Sequence, residues 1–188
     1  MRLAPIARRQ LLGFAVVGAA LFYPGLAKRV AKNAGPTLTL GEQQRDALAA
    51  LPVLRGAPLT VADLNGKPVV VTFFASWCPP CRAEFDQLNA LAARHSGSEA
   101  AILGVNVFEA RAGADAEARL AAFLDAKPPG FRILGNGDGV VPLFNNVAHI
   151  PTLYVFGRDG APVFEFVPRT GQSLPSEQAL DRALHAAL

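Results

Sequence analysis

The sequence predicts an α/β fold: a sandwich built on a mixed β-sheet, preceded by a targeting segment. Three observations lead there. Strand-like and helix-like stretches alternate as β-α-β-α-β and close with β-β-α. Two stretches, "VVVTFF" (69–74) and "AAILGVNVF" (100–108), are apolar runs of the kind expected of strands covered on both faces. Hydrophobic residues make up 51% of the 188, enough for a core and against general disorder. No internal repeat and no second folded domain is visible.

The elements follow in order. Residues 28–52 read as a linker, "AKNAGPTLTL", and a short helix, "EQQRDALAALP", ended by Pro52. Strand-like pieces broken by Gly, Pro and an Asn65-Gly66 turn signal lead to the strand at 69–74. A helix starts near Pro79, with Phe85, Leu88, Leu91 and Ala92 on its inner face. After the strand at 100–108, "ADAEARLAAFLDA" is a helix buried through Leu120, Phe123 and Leu124, and "KPPG" closes it. "FRIL" is a short strand. "GNGDGVVPLFNNVAHIP" is loop-rich, with one helical turn. "TLYVF" and "PVFEFV" flank the turn "GRDG" as a hairpin. A last helix over 175–188 packs through Leu180, Ala183, Leu184 and Leu188.

Charge is unevenly placed. Residues 1–27 contain Arg2, Arg8 and Arg9 and no acidic residue. Setting those three aside from the 18 basic residues leaves 15 basic and 15 acidic. The remaining chain is near neutral, with no basic stripe interleaved with aromatics, so nucleic-acid binding is disfavoured. The uncharged run from Gln10 to Ala27, behind Arg8-Arg9 and broken by Pro24 and Gly25, has the layout of an export signal. It resembles a twin-arginine signal without the favoured Ser or Thr before the arginines. An uncleaved membrane anchor is the alternative, although 17 residues from Leu11 to Ala27 are at the short limit for a span. Either way the expected location is periplasmic or otherwise extracytoplasmic, with membrane contact only through this segment. The domain plan is therefore an export signal or anchor over 1–27, a linker and short helix over 28–52, and the folded domain over 53–188.

The chemistry gathers in "FFASWCPPCRAEF" (73–85), which holds the two cysteines and the one tryptophan of the chain. Cys78 follows a strand and opens a helix. Free N–H groups and the helix dipole stabilise an anion there, so a thiolate is favoured. Pro79 and Pro80 suit a first turn, where amide hydrogens lack helical partners. Cys81 lies one turn later on the same side and is expected to be the more buried. The expected roles are attack by Cys78 and resolution by Cys81. A zinc site lacks ligands, since only His95, His149 and His185 are available beside the pair. A disulfide closing so small a loop would constrain the unfolded chain little, which speaks against a purely structural bridge.

These residues resemble the active site of the thioredoxin superfamily, and most closely its TlpA-like branch. "LTVADLNGKPVVVTFFASWCPPCRAEF" is the most specific part; "GVNVF" and "HIPTLYVFGRDGAPV" support it. The resemblance runs from about residue 54 onward and implies a thioredoxin-like three-layer sandwich with an inserted β-α unit at 100–126. It implies a cis bond between Ile150 and Pro151, facing the cysteines and pairing with an extended substrate peptide. Trp77 would flank Cys78 and offer an apolar contact to partners. Where thioredoxin has a buried Asp on the preceding strand, this chain has Thr72, which does no acid-base work at neutral pH. TlpA-like proteins often carry an acid three residues past the second cysteine. Glu84 matches it and is the expected proton acceptor for Cys81.

The function implied is an exported protein thiol-disulfide oxidoreductase of the cytochrome c maturation type, without a cofactor. Its partners would be protein disulfides such as those of apocytochrome c, and a membrane thiol donor that returns electrons. A disulfide-forming oxidase of the same fold is one alternative. A copper metallochaperone using Cys78, Cys81 and a histidine such as His149 is another. A peroxidase is disfavoured because there is no cysteine outside the pair.

Overall fold

The computed structural model describes residues 38–170 and 172–188. The expected export segment lies outside them, as does the start of the 28–52 segment. Among the described residues no helix is long and apolar enough to cross a membrane.

Six strands form one sheet: β1 (Val53–Arg55), β2 (Val69–Phe74), β3 (Ala101–Asn106), β4 (Arg132–Leu134), β5 (Thr152–Phe156) and β6 (Pro162–Phe166). Their spatial order is β1-β4-β3-β2-β5-β6. β2, β3 and β4 are parallel; β5 pairs antiparallel with β2, and the edges β1 and β6 are antiparallel to their neighbours. The sheet is mixed, as the sequence predicts. Four helices accompany it: α1 (Glu42–Ala49), α2 (Pro79–Arg94), α3 (Ala116–Ala126) and α4 (Glu177–Ala187).

Topology decides the layers. The chain steps outward in one direction from β2 to β3 to β4. Right-handed crossovers in one direction put both connecting helices, α2 and α3, on the same face. There Phe85 of α2 meets Phe123 of α3 edge-on, with ring centroids 4.8 Å apart, and Phe74 of β2 lies against both. α4 completes this layer through Leu180, Ala183 and Leu184. The other face is covered by α1 and by 3-10 turns at Val61–Asp63 and Gly137–Leu143.

β2 is buried along its whole length and divides the two cores by simple alternation. Val70 and Phe74 point into the α2 core, and Val69, Val71 and Phe73 into the other. Thr72 therefore belongs to the α2 side.

Some expectations need correction. Leu188 is 39% exposed, because α4 ends at Ala187, which is buried in its place. The passage after β4 is more ordered than a loop: residues 137–143 form a seven-residue 3-10 helix. From Leu38 onward the N-terminal segment is part of the core rather than a tether, since Leu38, Leu40 and Leu48 are all buried.

Candidate active site

Strand β2 ends at Phe74, and "ASWC" carries the chain to α2. Cys78 is the N-cap residue of α2, in extended backbone, with Pro79 and Pro80 in the first helical positions. Cys78 and Cys81 form a disulfide, with Cα atoms 5.4 Å apart. Cys78 keeps 3% exposure and Cys81 none. The Ile150–Pro151 bond is cis. The Ile150 carbonyl oxygen stands 3.8 Å from Cys78 Sγ, although the two residues are 72 apart in sequence. The sequence-predicted residues Cys78, Cys81, Ile150 and Pro151 thus meet at one end of the sheet. Trp77 is half-buried beside Cys78, its indole N–H donating to the Phe108 carbonyl at 3.0 Å.

Glu84 sits one turn after Cys81 on the inner face of α2 and is fully buried. The Thr72 hydroxyl donates to Glu84 Oε2 at 2.6 Å, and Thr72 Oγ1 also lies 3.4 Å from the Thr152 carbonyl oxygen. Burial pushes the Glu84 carboxyl up to about 8, and the Thr72 hydrogen bond pulls the other way. A carboxyl poised there can exchange a proton near neutral pH, which an exposed glutamate cannot do.

A second polar cluster holds the segment before Cys78. Glu109 accepts from the Ser76 backbone N–H at 3.0 Å, from the Ser76 hydroxyl, and from Asn106 Nδ2 at 2.6 Å. Ser76 and Asn106 are buried. Phe108 adopts left-handed backbone, φ 57°, with its N–H donating to Asp138 Oδ1 at 2.6 Å. Both backbone polar groups of this strained residue are therefore occupied. The inserted β-α unit is physically bolted to the cysteine loop.

Sequence reading missed Thr72 as a partner of Glu84, and missed Ser76, Asn106 and Glu109 altogether. The strand pattern carried a signal for Thr72 and a general one for the region of Asn106 and Glu109, but none for the pairing with Ser76. Thr72 shares the strand face of Val70 and Phe74, and so faces α2. Asn106 and Glu109 are polar residues at the carboxyl end of a parallel strand, where α/β sheets place their sites. His149 contributes its backbone, accepting from Thr152 Oγ1 at 2.8 Å. Among the described residues no group of three His, Cys, Asp or Glu side chains converges as a metal site.

Comparison with known proteins agrees with this architecture. The profile of the AhpC/TSA family matches residues 43–161. The thioredoxin-like protein YneN of Bacillus subtilis is 30% identical over 120 residues, 64% of this chain and 66% of that protein. The thiol:disulfide interchange protein DsbE of Pseudomonas aeruginosa is 29% identical over 120 residues, 64% of this chain and 62% of that protein. The match thus spans just under two thirds of these relatives' own length. Among solved structures, a secreted disulfide oxidoreductase of Mycobacterium tuberculosis, described as homologous to E. coli DsbE, superposes with a TM-score of 0.59 at 27% identity. That match covers 75% of this chain and 98% of the other. A family match over most of the chain, on a mixed sheet that opens its second helix with Cys-Pro-Pro-Cys, means that the chain belongs to the AhpC/TSA family and has the thioredoxin-like fold.

Proposed function

We propose that the protein is an extracytoplasmic thiol-disulfide oxidoreductase that reduces protein disulfides through Cys78 and Cys81. The observation that carries this reading is the placement of the pair. Cys78 caps a helix N-terminus, Cys81 lies one buried turn behind it, and the Ile150 carbonyl stands 3.8 Å from the outer sulfur. The names of the similar proteins, a thiol:disulfide interchange protein and a secreted disulfide oxidoreductase, support the same class.

In the reducing direction the Cys78 thiolate attacks one sulfur of a substrate disulfide. The substrate S–S bond breaks, its second sulfur leaves as a thiolate that takes a proton from solvent, and a Cys78–substrate bond forms. Cys81 then gives its proton to Glu84, and its thiolate attacks Cys78. The Cys78–Cys81 bond forms as the substrate's remaining thiolate leaves. The substrate gains two electrons and the pair loses two, so a thiol donor must reduce the pair again. Ile150 and Pro151 present backbone to an extended substrate, and Trp77 supplies apolar surface next to the reacting sulfur. Apocytochrome c is the substrate class proposed from the resemblance, with a membrane thiol protein as donor.

Trapping tests this. Cys81→Ser cannot complete the second step and should accumulate mixed disulfides on Cys78 in extracts of the native compartment. Cys78→Ser should accumulate none. A Cys81→Ser variant that collects no adduct would sink the enzymatic reading. A reduction potential near that of a strong oxidant such as DsbA, about −120 mV, would reverse the proposed direction.

A further inference from the structure

Five polar side chains are buried among the described residues: Thr72, Ser76, Glu84, Asn106 and Thr152. Glu84 is the only carboxyl among them. Its two oxygens are unequal. Oε2 takes the Thr72 hydroxyl at 2.6 Å. Oε1 is buried and has no hydrogen-bond partner among the described residues.

We propose that Thr72 is the positioning residue for Glu84: its hydroxyl anchors Oε2, favours the carboxylate form, and leaves Oε1 as the oxygen that accepts a proton. The proposal rests on reading Glu84 as the acceptor for Cys81, and it assigns the group that makes the carboxyl competent for that role.

The physical reason is an asymmetry between two protonation states. A hydroxyl donating to an anionic oxygen makes a shorter and stronger bond than to a neutral acid. Burial alone favours the neutral acid, which accepts no further proton. Thr72 opposes burial without adding a charge. A carboxyl at position 72 would instead face Glu84 with a like charge across a hydrogen-bond distance. The sheet fixes the hydroxyl in place. β2 and β5 pair with Phe73 opposite Thr152 and Thr72 opposite Leu153, which keeps the Thr152 carbonyl 3.4 Å behind Thr72 Oγ1.

The surroundings are electrically simple. α2 itself offers Cys78 and Cys81. β2 offers Thr72, and β5 offers Thr152, whose hydroxyl is committed to the His149 carbonyl at 2.8 Å. Glu84 has no ion pair among the described residues, and burial and Thr72 are the influences that set its acidity. The hydroxyl is thus the adjustable element of the site.

Infrared spectroscopy of the full chain, with the cysteines reduced, reads the protonated Glu84 carboxyl directly. Glu84→Gln assigns the band by removing it. In Thr72→Val, which keeps the shape and loses the hydroxyl, the band should titrate about one pH unit or more above wild type, a tenfold change in acid constant. Thr72→Ser should restore the wild-type midpoint. Thr72→Ala removes the same hydroxyl with less bulk and carries the same expectation, so a folding defect in either variant leaves the other decisive. A midpoint unchanged in the variants without a hydroxyl overturns the proposal. The pH profile of Cys81 alkylation in Glu84→Gln separately tests the underlying reading. If that profile does not move, Glu84 is not the acceptor, whatever the infrared band has said of Thr72.

Discussion

Glu84 couples the candidate site beside the cysteines to the stability of the folded domain. Its carboxyl titrates near 4.5 in an unfolded chain and at about 8 when buried. Between those values the unfolded chain releases a proton that the folded chain retains, so rising pH favours unfolding. The stabilisation is complete below the unfolded value and is gone once pH has passed through the folded one. With about 1.4 kcal/mol per pH unit, the loss is on the order of 5 kcal/mol. Glu84→Gln removes this titration. Its unfolding free energy, compared with wild type in the same redox state, should gain ~3 kcal/mol or more on going from about pH 5 to about pH 9. A difference between the two proteins that stays constant with pH would mean that Glu84 ionises freely in the folded state. Trp77, beside the cysteines, is only half-buried, whereas Cys78, with 3% exposure, is nearly as enclosed as Glu84.

At the scale of elements, the decisive contact is between the end of β3 and the loop that enters α2. Glu109 satisfies the buried Ser76 N–H and the buried Asn106 amide together. Glu109→Ala leaves both donors without that acceptor, at a cost of about 1–3 kcal/mol, and frees the Ser76–Trp77 segment. Denaturant midpoints should record the loss, and Trp77 fluorescence should report a looser indole. Glu109→Gln keeps one acceptor oxygen and should recover part of both. Unchanged midpoints and fluorescence would mean that the loop is held by α2 alone. This contact also marks the limit of what the sequence discloses. β2 was legible to the residue because all of its side chains are apolar or β-branched, and α2 because two prolines open it. Cys78, Cys81 and Glu84 were legible because they share one short motif. Glu109 was not, because its partner Ser76 is 33 residues away and only the β2–β3 register brings them together.

The described residues form a sheet with two cores, and the second core begins as early in the chain as Leu38. The stretch "TLTLGEQQRDALAALP" reads as the end of a linker and a short helix, and α1 is indeed short. What anchors it is long-range. Leu40 N–H donates to the Gly160 carbonyl at 2.9 Å, across the β5–β6 turn. Gly160 has φ +78°, and a side chain there would meet the Leu40 carbonyl oxygen at 2.5 Å, so turn and N-terminal segment fit only with glycine. Leu48, fully buried on α1, packs in the same cluster as Phe73 and Tyr154. Truncating such a side chain removes transfer energy and leaves a cavity that the sheet cannot close. Leu48→Ala should therefore cost about 2–5 kcal/mol in denaturant unfolding. The cysteines lie on the α2 side of the sheet, in the other core. At temperatures where the variant remains folded, their alkylation rates should match wild type within about twofold, as expected of independent sites. A Leu48→Ala protein as stable as wild type would mean that α1 contributes little to the core. One that lost thiol reactivity while still folded would mean that the two cores are coupled through β2.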